Sequence, residues 1–221
     1  MTMAKVFTLL RRKEGWSWSE FSDYWATTHK DHALDLARAG FFSGYVQNHL
    51  ITGLPGSTWP AADGIPEIWV PSIDSLADLA ASEVYQQGAG RDEANFTSGA
   101  VDSYISAGSP EAGLTELSLP TPRIRHLLLL QTNSQKQIDE IVGCLDRCDQ
   151  GQAPDLLITA SATDPDIQCV VVSGFWPNLT AAHKGASAMA ALLLELSDVY
   201  PVSAGVYEAR TVVNPLTGKW S

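Results

Sequence analysis

The same order of predicted elements occurs twice along this chain, and that repetition limits the folds available to it. Each half is expected to form strand, helix, strand, strand, helix and strand, over residues 5–105 and again over residues 124–213. This order is typical of the ferredoxin-like α+β unit, in which helices cover one face of an antiparallel sheet. The bare face of each sheet must also be buried, most simply against the sheet of the other half. The sequence therefore predicts two ferredoxin-like units fused in one chain, with their sheets packed as a pseudo-dimeric α/β barrel.

The boundaries of the two predicted units follow from a change in composition near the middle of the chain. Residues 107–122 are rich in Gly, Ser and Pro, which is typical of a surface linker. We therefore expect a first unit over residues 1–106 and a second over residues 123–221. Such a fused pair predicts either a monomer with an internal pseudo-dimer or a homodimer.

Charge and hydrophobic patterning argue against several classes of function. The formal net charge of −11 argues against a nucleic-acid partner, because such binding uses a clustered basic surface. The apolar runs at residues 127–130 and 189–194 are far shorter than a membrane span, and residues 1–12 lack the apolar core of a signal peptide. We therefore expect a soluble, cytoplasmic protein with no membrane partner.

Histidines concentrated near the N-terminus mark the candidate site. Three of the five histidines, His29, His32 and His49, lie within the first fifty residues among aromatic side chains. The imidazole has a pKa near neutrality, so it can take up and return a proton without strong tuning by its surroundings. The cluster therefore predicts a pocket for proton-transfer chemistry.

Periodicity predicts where two of these histidines point. Residues 21, 25, 28, 29 and 32 recur at helical spacing, so they should share a face that packs on the sheet. Burial there would keep His29 neutral, which suits a general base. Alternation along the strand at residues 42–51 places Tyr45, Gln47 and His49 on one face, where they could hydrogen-bond a carbonyl or phenol oxygen.

Metal-ligating patterns are weak in this sequence. His29 and His32 are close enough to share a metal ion, but no third ligand has suitable local spacing. Cys144, Cys148 and Cys169 also lack metal-ligand spacing, and we interpret them as reduced, buried thiols. We therefore expect no metal.

Six short stretches of the first half form an ordered series. They are residues 6–13 (VFTLLRRK), 21–29 (FSDYWATTH), 44–49 (GYVQNH), 63–69 (DGIPEIW), and 82–85 with 92–96 (SEVY and DEANF). This series resembles the EthD family of dimeric α/β barrel proteins and covers roughly residues 4–100. In the second half only the element order remains, so that half is interpreted as a degenerate second copy that serves as a scaffold.

The resemblance implies a pocket between sheet and helices and a chemistry that needs no cofactor. It implies a lyase or isomerase that dehydrates or decarboxylates a small aromatic or polyketide-like compound by histidine acid/base catalysis. A cofactor-free oxygenase and a non-catalytic barrel that binds small molecules are the alternatives. By position, His29 corresponds to a helix-borne histidine of the family and His49 to one that ends the second strand.

The candidate residues follow from these patterns and from the resemblance. The predicted catalytic residues are His29, His49 and His32. The predicted substrate-binding residues are Trp25, Tyr45, Gln47, Trp69, Tyr85, Phe96 and Glu67.

Overall fold

The structure, a computed structural model, describes most of the chain. The described residues are 3–54, 57–99, 102–107, 114–119, 121–146, 155–164, 166–196 and 199–219.

The first half has the predicted element order, with the second helical region divided into three short helices. Ser82, between the first two of these, is extended, and its hydroxyl accepts from the backbone N–H of Tyr85 and caps the next helix. The elements are β1 (Ala4–Thr8), α1 (Trp18–Tyr24), a π-helical turn (Trp25–His29), α2 (Lys30–Arg38), β2 (Gly44–Gly53), β3 (Gly64–Val70), α3 (Ser75–Ala81), α4 (Glu83–Gln87), α5 (Ala89–Phe96) and β4 (Ser103–Ala107).

The second half repeats the order with two longer helices. Both begin where side chains can cap them: Ser134 accepts from the N–H of Gln137, and Asn178 accepts from the N–H of Ala181. The elements are α6 (Leu114–Leu117), β5 (Arg123–Thr132), α7 (Gln135–Leu145), β6 (Asp155–Ser161), β7 (Gln168–Trp176), α8 (Leu179–Leu193) and β8 (Tyr200–Val213).

The eight strands close into one antiparallel barrel in the order β1-β3-β2-β8-β5-β7-β6-β4. Each half supplies four neighbouring strands, and the halves join where β2 pairs with β8 and β4 pairs with β6. The second strand of each half therefore pairs with the last strand of the other. The predicted pair of ferredoxin-like units packed as an α/β barrel is confirmed.

Side chains along each strand alternate between two buried regions, the inside of the barrel and the interface between sheet and helices. Side chains such as Phe7, Ile65 and Leu127 point into the barrel and pack together across the two halves. Their neighbours, such as Val6 and Ile68, point outward to the helices of the first half. The four strands contributed by the first half are thus covered on both faces over most of their length, and the two faces lie in different environments.

The segment between the halves contributes to the core. Its described part includes α6, where Leu117 is buried against Val46, Trp69 and Phe175. The Leu117 carbonyl also accepts a hydrogen bond from the Thr211 hydroxyl. Residues 108–113 and 120 of the predicted linker lie outside the described residues. The described part therefore does more than connect the two halves across the surface.

No helix in the described part of the chain is long and apolar enough to span a membrane. Cys144 and Cys169 are buried thiols. Cys148, which we also interpreted as a buried thiol, falls outside the described ranges.

Candidate active site

A cavity of about 340 Å³ lies between the sheet and the helices of the first half. This volume falls in the range of about 300–1,000 Å³ that is typical of small-molecule sites. Most of its lining is apolar, and no lysine or arginine is found among the described residues that line it. The polar lining residues are Thr8, His29, Tyr45, Tyr85, Glu93 and Ser103.

The π-helical turn sets the direction of two side chains in the cavity wall. Ser17 and Glu20 form a capping box that begins α1, and the helix widens into the π-helical turn after Tyr24. Because a π turn holds an extra residue, it rotates the following side chains relative to a regular α-helix. Trp25 and His29 are buried in the wall, whereas Thr28, expected on the same face, is exposed. Such turns are frequent at functional sites.

His29 is held by a carboxylate at one ring nitrogen. Its Nδ1 lies 2.9 Å from Oδ2 of Asp92, whose other oxygen accepts from Tyr24 Oη at 2.6 Å and from Asn95 Nδ2 at 3.0 Å. A carboxylate at Nδ1 assigns the proton to that nitrogen and leaves Nε2 as an acceptor. Nε2 has no hydrogen-bond partner among the described residues, so it is available to a ligand.

Electrostatics keep this histidine neutral and its partner charged. Burial lowers the pKa of His29 below 6.5, and the nearby Asp92 carboxylate offsets only part of that effect. Burial acts to raise the pKa of Asp92, but hydrogen bonds from Tyr24, Asn95 and His29 outweigh it, and the pKa is lowered. The pair therefore combines a neutral imidazole with an ionised carboxylate at neutral pH.

Tyr45 presents a hydroxyl proton to the same cavity. Its Oη accepts from Trp25 Nε1 and from Gln47 Nε2, each at 3.0 Å. Because both acceptor positions are occupied, the Tyr45 O–H can serve as a donor to a ligand. Burial raises the pKa of this phenol, so it remains protonated.

His49 and Gln47 lie behind the cavity wall and are absent from the described lining. Nδ1 of His49 is 2.8 Å from Ser22 Oγ, and Nε2 is 3.2 Å from Gln47 Oε1. The ring also packs on Trp25, with centroids 4.5 Å apart. Burial, with a smaller effect of the Arg210 charge, lowers the pKa of His49 to about 3. His49 therefore positions Gln47 through a hydrogen bond to Oε1, and Gln47 positions Tyr45 through a hydrogen bond from Nε2.

Glu67 and Trp69, both predicted to bind substrate, point into the barrel, away from the cavity. Glu67 is fully buried, with Lys5 Nζ at 2.5 Å, Arg125 Nη1 at 2.6 Å and Asn48 Nδ2 at 2.7 Å. Their neighbours Pro66 and Ile68 line the cavity instead. The alternation of the strand places these two side chains on the face opposite to the one that a substrate-binding role requires.

His32, on α2, is absent from the described lining of the cavity. Its ring centroid is 6.5 Å from that of His29, and it borders an open surface depression with Lys30 and Asp31. No group of three or more His, Cys, Asp or Glu in the described ranges is arranged to hold a metal ion.

The structure brings five of the predicted residues together in the cavity wall, and it adds residues that were not among the predicted site residues. The predicted ones are His29, Trp25, Tyr45, Tyr85 and Phe96. The added ones are Asp92, which orients His29, the lining residues Glu93, Thr8 and Ser103, and Ala162 from the second half. The recurrence of Ala89, Glu93 and Phe96 at helical spacing was the available signal for Glu93.

The corresponding space in the second half is occupied by a hydrophobic core. Leu128 and Leu130 of β5 pack there on Ile141 and Met189 of the helices. The histidine on that strand, His126, accepts a hydrogen bond at Nδ1 from Trp176 Nε1 at 2.8 Å.

Gly64 allows Trp25 to lie against β3, and its replacement by alanine tests that contact. A Cβ at this position would come within 2.5 Å of Trp25 Cζ3, so the indole would have to move. We expect Gly64→Ala to lower the free energy of unfolding by about 1–3 kcal/mol, the usual effect of overpacking. Urea unfolding measures the change.

Gly143→Ala is the matched control. Gly143 is exposed within α7, and an added Cβ would meet nothing within 4 Å. This substitution should stabilise the protein by about 0.5–1 kcal/mol. Equal effects of the two substitutions would contradict the role given to Gly64.

The fold is that of a dimeric α/β barrel, with both halves of the barrel supplied by one chain. Residues 13–100 match the family model of the EthD domain. No curated protein sequence matches the chain.

Solved structures with this fold span nearly the whole chain. An anthrone oxidase-like protein is similar with a TM-score of 0.53 and 10% identity, over 99% of this chain and 96% of that one. A protein named "Putative Chlorite dismutase" is similar with a TM-score of 0.54 and 14% identity, over 97% and 96% of the two chains. A mutant chlorite dismutase from Candidatus Nitrospira defluvii has a TM-score of 0.50 and 10% identity, over 94% and 91%. At these identities the similarity establishes the fold.

Proposed function

We propose that this protein is an enzyme that removes a proton from a small, neutral aromatic or polyketide-like ketone, with His29 as the general base. The proposed net reaction is loss of water or isomerisation, without a cofactor. The observation that carries the proposal is the unengaged Nε2 of His29 in the cavity wall, with Asp92 fixed at the opposite ring nitrogen.

The lining supports a neutral substrate. A carboxylate would meet no lysine or arginine among the described lining residues, and it would face the carboxyl group of Glu93. A carboxylate without a counter-charge is costly to bury. The charge distribution therefore favours dehydration or isomerisation of a ketone over decarboxylation of an acid.

The proposed step divides between two side chains. Nε2 of His29 takes a proton from the carbon next to the substrate carbonyl, and the electron pair of the C–H bond forms the enolate. The Tyr45 hydroxyl donates a hydrogen bond to the enolate oxygen, where negative charge develops. Because Trp25 and Gln47 hold the Tyr45 oxygen in place, this donor needs no reorganisation during the step.

Hydrogen–deuterium exchange tests this proposal with 1-tetralone, a neutral aromatic ketone that cannot lose water. We expect the protein in D₂O to exchange the protons next to the carbonyl, as followed by NMR. Because burial lowers the His29 pKa below 6.5, the rate should fall as the pH drops through that lowered pKa and should no longer depend on the pH well above it. Binding of 1-tetralone without exchange at any pH would favour the non-catalytic alternative.

A cofactor-free oxygenase is the second candidate. An enolate or phenolate held in a largely apolar cavity can give an electron to molecular oxygen, and the cavity lining is mostly apolar. One protein that shares the fold is named anthrone oxidase-like. Oxygen consumption with anthrone as the probe would support this alternative, whereas conversion of a hydroxyketone without oxygen uptake would support the lyase.

A further inference from the structure

Two neighbouring carboxyl groups on helix α5 lie in different surroundings. Asp92 points to Nδ1 of His29, and Glu93 lines the cavity itself. Ala89 and Phe96, on the same face of the helix, also line the cavity. In the proposed proton abstraction, Asp92 orients His29, and Glu93 has no assigned role.

Glu93 has one oxygen engaged and one oxygen free. Tyr85 Oη donates to Glu93 Oε1 at 3.1 Å. In the described part of the chain, Oε2 has no hydrogen-bond partner. If the carboxyl is protonated, the proton is therefore placed on Oε2, while Oε1 accepts from the phenol.

Burial and the charge of Asp92 favour the neutral form of Glu93. Tyr85 approaches from α4, His29 and Tyr45 share the cavity wall, and Asp92 is adjacent on α5. Burial raises the pKa of Glu93, the Tyr85 hydrogen bond counteracts part of that rise, and the Asp92 charge adds to it. His29, by contrast, is kept in its basic form. Opposite protonation preferences within one cavity are typical of an acid–base pair.

Resting on the function proposed above, we propose that Glu93 is the general acid of this site and that the substrate is a β-hydroxy ketone fused to an aromatic ring. Glu93 would donate its proton to the hydroxyl group that leaves. The reaction class is then elimination of water.

The elimination balances with the groups present. His29 Nε2 takes the proton from the carbon next to the carbonyl, and that electron pair forms the new C=C bond. The C–O bond to the hydroxyl group breaks, and the Glu93 proton completes a water molecule. The resulting carboxylate is stabilised by the Tyr85 hydrogen bond, which strengthens when its acceptor is charged. Loss of a proton from the imidazolium and gain of one by Glu93 restore the starting state.

Two probes separate this inference from the proposed function. 3-Hydroxy-1-tetralone loses water to give 1-naphthol, which is followed by fluorescence, whereas 1-tetralone reports proton abstraction alone. We expect Glu93→Gln to slow dehydration by about 10²-fold or more, the usual contribution of a general acid, and to slow exchange of 1-tetralone by a much smaller factor. Tyr85→Phe, which removes the hydrogen bond to Oε1, should slow dehydration less than Glu93→Gln does.

Glu83→Gln is the matched control, because Glu83 is an exposed carboxylate on α4 that accepts from the Gln87 side chain. It should change neither reaction. The pH profile of the wild-type protein gives a further test that needs no variant. Dehydration should decline at high pH as Glu93 loses its proton, while exchange stays on its plateau.

The outcomes test separately whether Glu93 is the general acid and whether His29 is the general base. Equal dehydration by wild type and Glu93→Gln, or wild-type exchange without dehydration, overturns the role of Glu93 and leaves His29 as the base. Parallel pH profiles for the two reactions overturn it as well. Failure of the wild type to exchange 1-tetralone overturns the proposed function itself.

Discussion

Replacing His29 with glutamine is expected to reduce exchange of 1-tetralone by about 10²–10⁴-fold, the usual contribution of a general base. Glutamine has a similar reach and can still hydrogen-bond Asp92, but it cannot accept a proton near neutral pH. The fold should persist, because the cavity around His29 is already open to a ligand. NMR exchange rates measure the loss, and thermal unfolding checks the fold.

Two further variants test whether exchange depends on the imidazole of His29 and on the carboxylate that orients it. Asp92→Asn should reduce exchange less than His29→Gln, since the imidazole remains but loses the carboxylate that fixes its tautomer. His32→Gln should leave exchange within about twofold, because His32 lies outside the described cavity lining. If His32→Gln abolished exchange while His29→Gln did not, His29 would not be the base.

Replacing Glu67 with glutamine is expected to lower the free energy of unfolding by about 3–5 kcal/mol. Glu67 is the carboxylate between Lys5 and Arg125 inside the barrel, and all three side chains are buried. Removing its charge leaves two buried cations without their counter-ion, which costs far more than loss of an exposed pair. Urea denaturation followed by circular dichroism measures the change.

A surface pair and a compound variant serve as controls for Glu67. Asp35→Asn breaks an exposed pair with Arg38 and should cost less than about 1 kcal/mol. Replacing Lys5, Glu67 and Arg125 together with Met, Leu and Met should restore much of the lost stability, because no unpaired charge remains. A triple variant as unstable as Glu67→Gln would show that packing, and not charge, determines the effect.

The pKa of Glu67 also predicts how this contribution depends on pH. Burial acts to raise the pKa, but the charges of Arg125 and Lys5 outweigh it, and the pKa lies below 4.5. A carboxyl group whose folded pKa is lowered contributes stability above its unfolded pKa and loses it as the pH falls through the folded value. The difference between wild type and Glu67→Gln should therefore shrink in acid.

The fold could be predicted from the sequence, because the element order is strong and occurs twice. The direction of side chains on β3 could not. This strand reads Ile-Pro-Glu-Ile-Trp-Val over residues 65–70, with apolar side chains on both faces, as expected for a strand buried on both sides. Without a polar face as a reference, Glu67 and Trp69 were predicted for the cavity, although they point into the barrel.

The candidate site was predictable in part. His29 followed from helical spacing and from the EthD resemblance, and the cavity contains it. The separation of His49 from the cavity depends on the indole of Trp25, which lies between them because Gly64 leaves it room. The pairing of Asp92 with His29 joins residues 63 positions apart and needs the π-helical turn for its geometry. Local spacing carries no information about such contacts.

The pairing of β2 with β8 and of β4 with β6 leaves neither edge of the first sheet unpartnered. If the polypeptide were severed between its halves, the amino-terminal piece would expose two rows of unsatisfied backbone groups, which readily recruit another strand. It could complete its sheet again only by associating with a second copy, and two identical cavities would result. Joining the halves covalently removes that symmetry, so a substitution in one half changes one side of the barrel and leaves the other free to diverge.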